Sequence, residues 1–279
     1  MSFPIPGWYF SLSMTLFGLL FGSFANVVIW RQPRGESIAR PGSHCPGCDA
    51  PIAWYDNIPV VSWLVLRGRC RQCSEPISLR YPLVELASGI LFALAAWRFG
   101  VTWQAVFAAA VFWLLLVLSL IDLDHMRLPN QLVVMLAAIA LGVAFISQVL
   151  SRPIGPLVGV AMSGPLASPI VSALVGAVIA VAISGGTAAA YAAVRGRTGL
   201  GMGDVKLLGA LGLVLGPYVL ASLFFGSVFG LVFGLAKSRG TTLRGQRIPF
   251  GPFLAGGAIL AALFGPALLR WYLRLAGVA

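Results

Sequence analysis

Two aspartates beside long apolar stretches are the residues best placed to do chemistry. Asp122 follows the apolar stretch 103–121, and Asp204 lies in the sequence Gly201-Met202-Gly203-Asp204 ahead of another one. Two carboxyl groups in close proximity do not both ionise easily, so they share a proton. One then acts as a general base on water and the other as an acid toward a carbonyl group. The pair predicts hydrolysis without a covalent intermediate.

Each aspartate also has a structural interpretation. Asp122 could solvate a helix end, and Asp204 could cap the helix that follows it. Asp124 lies two residues from Asp122 and would point to a different helix face, so we predict a solvated or capping residue. The chain has few residues for other hydrolytic mechanisms, since it has only two histidines and no serine in a Gly-x-Ser-x-Gly elbow.

Four further residues are candidates for supporting the site. Gly201 and Gly203 lack a Cβ and would let a substrate strand approach the backbone beside Asp204. Lys206 is either an anchor at the inner membrane face or a charge neighbour of Asp204. Glu85 lies near the start of another apolar stretch, where it would line the site or pair with an arginine.

The cysteines form two Cys-x-x-Cys pairs, which is the spacing of a tetrahedral zinc site with four thiolate ligands. We predict a structural zinc ion, because four thiolates leave no position for a catalytic water. Two disulfides or four free thiols are the alternatives, and His44 is a possible alternate ligand. No internal repeat with a fixed period is evident. The predicted ligands are Cys45, Cys48, Cys70 and Cys73.

The composition fixes the class of protein that must position these groups. Of 279 residues, 59% are hydrophobic and 10% are charged, against roughly 25% charged residues in soluble domains. This excludes a soluble enzyme, a disordered chain and a soluble nucleic-acid-binding protein, and it predicts a multi-span membrane protein. The net charge of +11 is then a topology signal, because cytoplasmic loops collect Lys and Arg.

Eight helical elements account best for the apolar stretches. Gly216-Pro217 interrupts the stretch 207–236 and predicts a short element at 205–215 and a full span at 218–236. With this break, fifteen of the 19 Lys and Arg residues fall on the inner side. The resulting all-α protein has a first transmembrane helix in 1–30, a cytoplasmic zinc-binding domain in 31–81 and a transmembrane domain in 82–279. The other expected spans are 8–30, 82–98, 103–121, 131–150, 170–194 and 250–270, with a loop at 151–169.

Several short motifs, taken together and in order, give this chain a family resemblance. It resembles the bacterial type IV prepilin leader peptidases, which are membrane aspartic peptidases of the Gly-x-Gly-Asp type. The resemblance extends nearly end to end. It rests on 21–29 (FGSFANVVI), the two Cys-x-x-Cys pairs, 67–70 (RGRC), 80–86 (RYPLVEL), Asp122 with Leu128-Pro129, 201–207 (GMGDVKL) and 248–253 (IPFGPF).

The resemblance implies a specific activity. The family cuts basic leader peptides from prepilins and type II secretion pseudopilins after a glycine, at the cytoplasmic face of the bacterial inner membrane. Its catalytic aspartates map to Asp122 and Asp204, whereas Asn130 replaces an acid that is common after the Leu-Pro. Members with the cysteine domain typically also methylate the new N-terminus with S-adenosylmethionine, for which no binding residues can be named here.

Two other classes of protein remain as alternatives. A transporter would use its membrane acids to carry protons or ions, but it predicts acids near the middle of the bilayer. A non-enzymatic assembly factor for a pilus or secretion system would use the zinc module to dock partners. No nucleic-acid partner is expected, and the sequence does not define the oligomeric state.

Overall fold

The computed structural model describes residues 5–151, 157, 168–196, 199–238, 248–275 and 277. These residues form helices and turns, with no strand among them apart from two isolated bridges. The chain divides into two compact units, Met1–Val117 and Leu118–Ala279. The all-α fold class is confirmed for the described part of the chain.

In the first unit, two membrane-type helices pack closely because glycines line their contact. These are α1 (Gly7–Arg31) and α3 (Arg80–Phe99). A Cβ at Gly22 would lie 2.5 Å from the Cα of Glu85, and a Cβ at Gly18 would lie 2.8 Å from the Cβ of Phe92. Small residues allow such backbone approach where helices cross in a membrane.

Aromatic side chains fasten the start of α4 (Trp103–His125) within the same unit. The Trp113 indole Nε1 donates a hydrogen bond to the Phe21 carbonyl at 2.8 Å. Its ring stacks on Phe24 with centroids 5.8 Å apart, and Phe21 stacks in turn on Phe92. The indole N–H is therefore satisfied while its ring stays in apolar surroundings.

The segment between α1 and α3 is held by polar contacts around a very small core. It contains the five-residue helix α2 (Val61–Val65) and 3-10 turns at Gln32–Arg34 and Trp54–Asn57. The buried Arg31 guanidinium donates to the carbonyls of Ser37 at 3.0 Å and Pro41 at 2.8 Å. Trp63 donates to the Ile77 carbonyl at 3.0 Å. A segment this small gains little from apolar burial, which favours a metal staple.

In its described residues, the second unit contains the end of α4 and five further helices. Eight of the 14 residues of α7 are buried, and this helix packs against α5, α6 and α9. A Cβ at Gly176 of α6 would lie 2.5 Å from the Gly212 carbonyl oxygen of α7. The five helices are α5 (Asn130–Val149), α6 (Pro169–Arg195), α7 (Met202–Leu215), α8 (Val219–Ser238) and α9 (Gly251–Leu275).

Seven helical segments of the described chain are long and apolar enough to cross a membrane. One of them, Met202–Lys237, contains both α7 and α8, which a 3-10 turn at Gly216–Tyr218 separates. The predicted break at Gly216-Pro217 is thus confirmed. At 1.5 Å per residue α7 is about 21 Å long, shorter than a hydrocarbon core of about 30 Å. The predicted loop at 151–169 lies mostly outside the described residues.

Candidate active site and candidate metal centre

Asp122 lies in the last turn of α4 with its side chain turned into the protein. It is 5% exposed, and its Oδ2 accepts a hydrogen bond of 2.9 Å from the Gly251 backbone N–H. Gly251 is the first residue of α9, so the carboxylate lies against the partially positive N-terminus of that helix. Chain segments 129 residues apart therefore meet at this carboxyl group.

Asp204 lies in the first turn of α7. The residue at the N-cap position is Gly201, and the Gly201 backbone N–H donates to the Asp204 carboxyl group. The structural interpretation of Asp204 as the helix cap is therefore wrong. Its side chain instead reaches back to the cap residue, as the acidic member of a capping box does. This contact orients the carboxyl group at the start of the helix.

The two carboxyl groups are close enough for their charges to interact. Asp122 is buried and Asp204 is half-buried, so one member of the pair is sheltered while the other reaches the surface. Both accept a backbone N–H at a helix start. In contrast, Asp124 and His125 are exposed, although they lie in the same last turn of α4. The expectation that Asp122 and Asp124 point to different faces is confirmed.

The glycines beside Asp204 have close neighbours within the protein. A Cβ at Gly201 would lie 3.1 Å from Asp204 Oδ2, and a Cβ at Gly203 would lie 3.3 Å from the Leu128 Cβ. The approach of a substrate strand to these glycines stays a prediction. These glycines let Leu128 and the Asp204 carboxyl group pack closely against the start of α7.

The hydrogen bond that the structure shows for Lys206 is with Asn130 and not with Asp204. Its Nζ donates to Asn130 Oδ1 at 3.0 Å, which joins the first turn of α7 to the first residue of α5. Asn130 therefore has a positioning contact, although it stands where the resembling family often has an acid.

Glu85 has partners that the sequence did not indicate. Within the first unit its Oε2 accepts the Val60 backbone N–H at 2.7 Å, and it also accepts the Ser23 hydroxyl. Val60 has a φ of 63°, which is strained for a β-branched residue. The carboxylate therefore holds the cysteine segment against α1 and α3 at a point of backbone strain.

Gly251 is the contact residue that the sequence reasoning missed. A Cβ there would lie 2.7 Å from Asp122 Oδ2, so only glycine allows this approach. The available signal was a glycine followed by proline ahead of an apolar run, which is a typical helix start. Its pairing with Asp122 is a tertiary contact and leaves no local pattern.

The four cysteines come together as one candidate metal centre. Their Sγ atoms all lie within 4.8 Å of one another, and the Sγ atoms of Cys45 and Cys73 are 3.7 Å apart. A zinc tetrahedron with bonds of about 2.3 Å has edges of about 3.8 Å, so the donor set fits. The thiols are free of disulfides. The exposed His44 ring bonds the Gly42 carbonyl and is not part of the cluster.

Two equivalent turns build this cluster, and they form a repeat that the sequence analysis did not identify. Cys45 N–H bonds the Ala50 carbonyl at 2.9 Å, and Cys70 N–H bonds the Glu75 carbonyl at 2.8 Å. The fifth residue of each turn has a positive φ, 55° at Asp49 and 61° at Ser74. The signal was present, because Cys-x-x-Cys is followed by Pro-Ile at the same spacing in both 45–52 and 70–77.

In the second turn the two interacting thiols have opposite shifts, since the pKa of Cys70 is lowered and the pKa of Cys73 is raised by burial and by its neighbouring thiols. Backbone N–H groups of Cys73 and Gln72 donate to Cys70 and lower the pKa of its thiol to about 6. Beside it, the Arg71 guanidinium donates to both carboxylate oxygens of Asp56 at 2.7 and 2.6 Å. This fork lowers the pKa of the Asp56 carboxyl group and ties the turn to the rest of the segment.

The structure thus defines a polytopic helical membrane protein with a paired-carboxyl site and a four-cysteine centre. Comparison with known proteins then places the chain: it belongs to the type IV leader peptidase family. The model of that family matches residues 109–235, and the model described as bacterial peptidase A24 N-terminal domain matches residues 16–99.

Relatives match over nearly the whole chain. The prepilin leader peptidase/N-methyltransferase of Stutzerimonas stutzeri is 37% identical over 96% of this chain and 95% of its own length. The protein of that name from Xanthomonas campestris is 35% identical over 98% of this chain and 97% of its own. A third, from Myxococcus xanthus, is 51% identical over 49% of this chain and 42% of its own length. No solved structure matches the chain significantly.

Proposed function

We propose that this protein cuts the leader from type IV prepilins and type II secretion pseudopilins after a glycine, with Asp122 and Asp204 as its catalytic residues. The observation that carries the proposal is the meeting of two carboxyl groups from α4 and α7, each oriented by a backbone N–H at a helix start. The names of the full-length relatives support the substrate class.

The reaction requires one proton shared between the two carboxyl groups. The ionised carboxylate removes a proton from water, whose oxygen attacks the scissile carbonyl carbon, while the protonated carboxyl group donates to the carbonyl oxygen. Collapse of the resulting diol breaks the C–N bond and returns a proton to the amine. The products are a leader with a new carboxylate and a mature chain with a new N-terminal amine.

Gly201, Gly203, Lys206 and Glu85 support this site in the proposed mechanism. Gly201 and Gly203 let the first turn of α7 pack closely, and Lys206 fixes that turn to α5 through Asn130. Glu85 fastens the cysteine segment to its helices in the first unit. We also propose the division of the chain into a first transmembrane helix in 1–30, a cytoplasmic zinc-binding domain in 31–81 and a transmembrane domain in 82–279.

The test is cleavage of a prepilin in detergent or lipid, with mass spectrometry of the mature N-terminus. Asp122→Asn and Asp204→Asn should each lower kcat by at least about a hundredfold, since each removes a proton-transfer group. Asp124→Asn is the matched control, because this exposed residue lies two positions from Asp122 and should leave kcat unchanged. Cleavage by both Asn variants at the wild-type rate would refute the mechanism and favour a transport or assembly role.

We propose that the four cysteines bind a structural zinc ion and that the enzyme also uses S-adenosylmethionine to methylate the new N-terminus. The first proposal is supported by the closed donor set. The second is supported by the relatives' name. A mature N-terminus that gains one methyl group only when S-adenosylmethionine is present would establish the transfer. An unmodified product under those conditions would refute it.

The proposed location is the bacterial inner membrane, with the cysteine segment and both aspartates on the cytoplasmic side. Fifteen of the 19 basic residues lie on that side in the eight-element topology, as the positive-inside rule requires. Glu36→Cys, at an exposed position beside α1, should react with a membrane-impermeant thiol reagent only after the cells are opened. Labelling of intact spheroplasts at this position would reverse the orientation.

A further inference from the structure

A cleft of about 480 Å³ lies between α6 and α8 in the second unit. It arises because α6 packs mainly on α7 while α8 packs mainly on α9, so that these two helices touch each other little. Its volume lies within the range of small ligand-binding sites, roughly 300–1,000 Å³. One wall contains Thr187 and Tyr191 of α6, and the other contains Leu223 and Ser227 of α8.

The cleft lining shares two chain segments with the site of the paired carboxyl groups. Leu200 lines the cleft and directly precedes Gly201, whose N–H donates to Asp204. Phe250 also lines the cleft and directly precedes Gly251, whose N–H donates to Asp122. In each of the two segments that orient a carboxyl group, the residue directly before the donating glycine therefore lines the cleft.

The chemistry of the cleft lining favours the apolar part of the substrate over its basic leader. Among the described residues, those that line the cleft include no charged side chain, and most of their surface is apolar. The Thr187 hydroxyl already donates to the Ser184 carbonyl at 2.9 Å, so it does not require a polar partner from a ligand. Such a lining offers nothing to a basic leader, whose Lys and Arg would lose hydration without gaining a counter-charge.

Small side chains on both walls suit a helical occupant. Thr187 and Ser227 are exposed into the cleft region and project little from α6 and α8. In membranes, helix association depends on close backbone approach past small residues, since lipid gives no hydrophobic driving force. An apolar helix can therefore approach both walls, and a flexible polar peptide would gain less from them.

We propose that this cleft binds the apolar helix that follows the scissile bond and so presents that bond to Asp122 and Asp204. The proposal rests on the proposed function, because it assigns a subsite to the same reaction. The leader then extends away from the cleft on the other side of the carboxyl pair. Thr187, Ser227, Leu200 and Phe250 are accordingly specificity-determining residues for the apolar part of the substrate.

The test combines bulky substitutions in the cleft with a substrate shortened on its apolar side. Thr187→Trp and Ser227→Trp fill the cleft from opposite walls at exposed positions that tolerate larger side chains. Each should raise KM for the full-length prepilin by about tenfold, because the indole fills the space that an apolar helix needs for close packing against both walls. Val178→Trp and Val232→Trp are matched controls, since both valines are exposed on the same two helices but lie outside the cleft lining.

The shortened substrate separates contact from indirect damage. It lacks the apolar residues distant from the scissile bond, so its KM with the wild-type enzyme should rise. If those residues lie in the cleft, the tryptophan variants add little further loss, and the two changes are not additive. Additive losses, or unchanged KM in the cleft variants, would overturn the proposal and leave lipid as the occupant. Failure of the wild-type enzyme to cut any prepilin would instead refute the proposed function itself.

Discussion

Replacing Gly251 by alanine should displace the Asp122 carboxylate without removing any polar group. The added Cβ would lie 2.7 Å from Asp122 Oδ2, and an ordinary contact begins at about 3.4 Å. The carboxylate must therefore move by about 0.7 Å. A misplacement of about 1 Å at a reacting group costs about a hundredfold in rate. We expect Gly251→Ala to lower kcat by close to that factor and to leave KM nearly unchanged.

The assay is prepilin cleavage under saturating substrate, together with thermal unfolding of each variant. Gly256→Ala in the same helix is the matched control, because the nearest atom to its Cβ is Phe229 at 3.9 Å. Gly201→Ala places a Cβ 3.1 Å from Asp204 Oδ2 and should show a smaller loss. A Gly251→Ala enzyme with wild-type kcat and an unchanged melting temperature would refute the argument that the position of Asp122 sets the rate. If that variant does not fold, Gly201→Ala against Gly256→Ala tests the same reasoning at Asp204, where wild-type kcat would refute it.

Three further predictions concern the cysteine segment and its attachment. Cys48→Ser should lose the one bound zinc ion per chain and lower the melting temperature, and full zinc content by elemental analysis would contradict a four-thiolate site. In metal-free protein, iodoacetamide at pH 7 should alkylate Cys70 before Cys48, because a thiol with a pKa of about 6 is mostly thiolate at pH 7. The alkylation rate of Cys70 should fall as the pH drops through 6. Equal alkylation rates for the two cysteines would contradict this prediction. Glu85→Gln should cost about 1–2 kcal/mol of stability and speed hydrogen exchange at the Val60 amide, whereas Glu36→Gln at an exposed position should do neither.

The helices could be predicted from the sequence because their signals are local. Long apolar stretches define membrane helices wherever they occur. The break within 207–236 could also be predicted from a local signal, since glycine and proline act on the backbone at their own positions. The structure ends α7 at Leu215 and begins α8 at Val219, one residue from the predicted start. The four-cysteine cluster was also readable, because each pair of ligands comes from a single turn.

The contacts of the acidic residues could not be predicted, since they join distant parts of the chain. Composition and hydropathy placed Asp122 and Asp204 at helix ends but did not pair Asp122 with a residue 129 positions later. For Glu85 the sequence suggested an arginine or the active site, whereas the carboxylate accepts a backbone N–H from a strained residue of the cysteine segment. Backbone donors carry no side-chain signature, so no residue type marks them in advance.

This use of backbone donors has a chemical consequence for a chain with a net charge of +11. Asp122, Asp204 and Glu85 each accept a main-chain N–H, and Lys206, two residues from Asp204, directs its ammonium group to Asn130. A bidentate arginine would hold a carboxylate as a neutralised ion pair. A backbone N–H orients the carboxylate without supplying a formal counter-charge. The proposed reaction, in which Asp122 and Asp204 exchange one proton, needs orientation without neutralisation, and helix starts at Gly201 and Gly251 provide it.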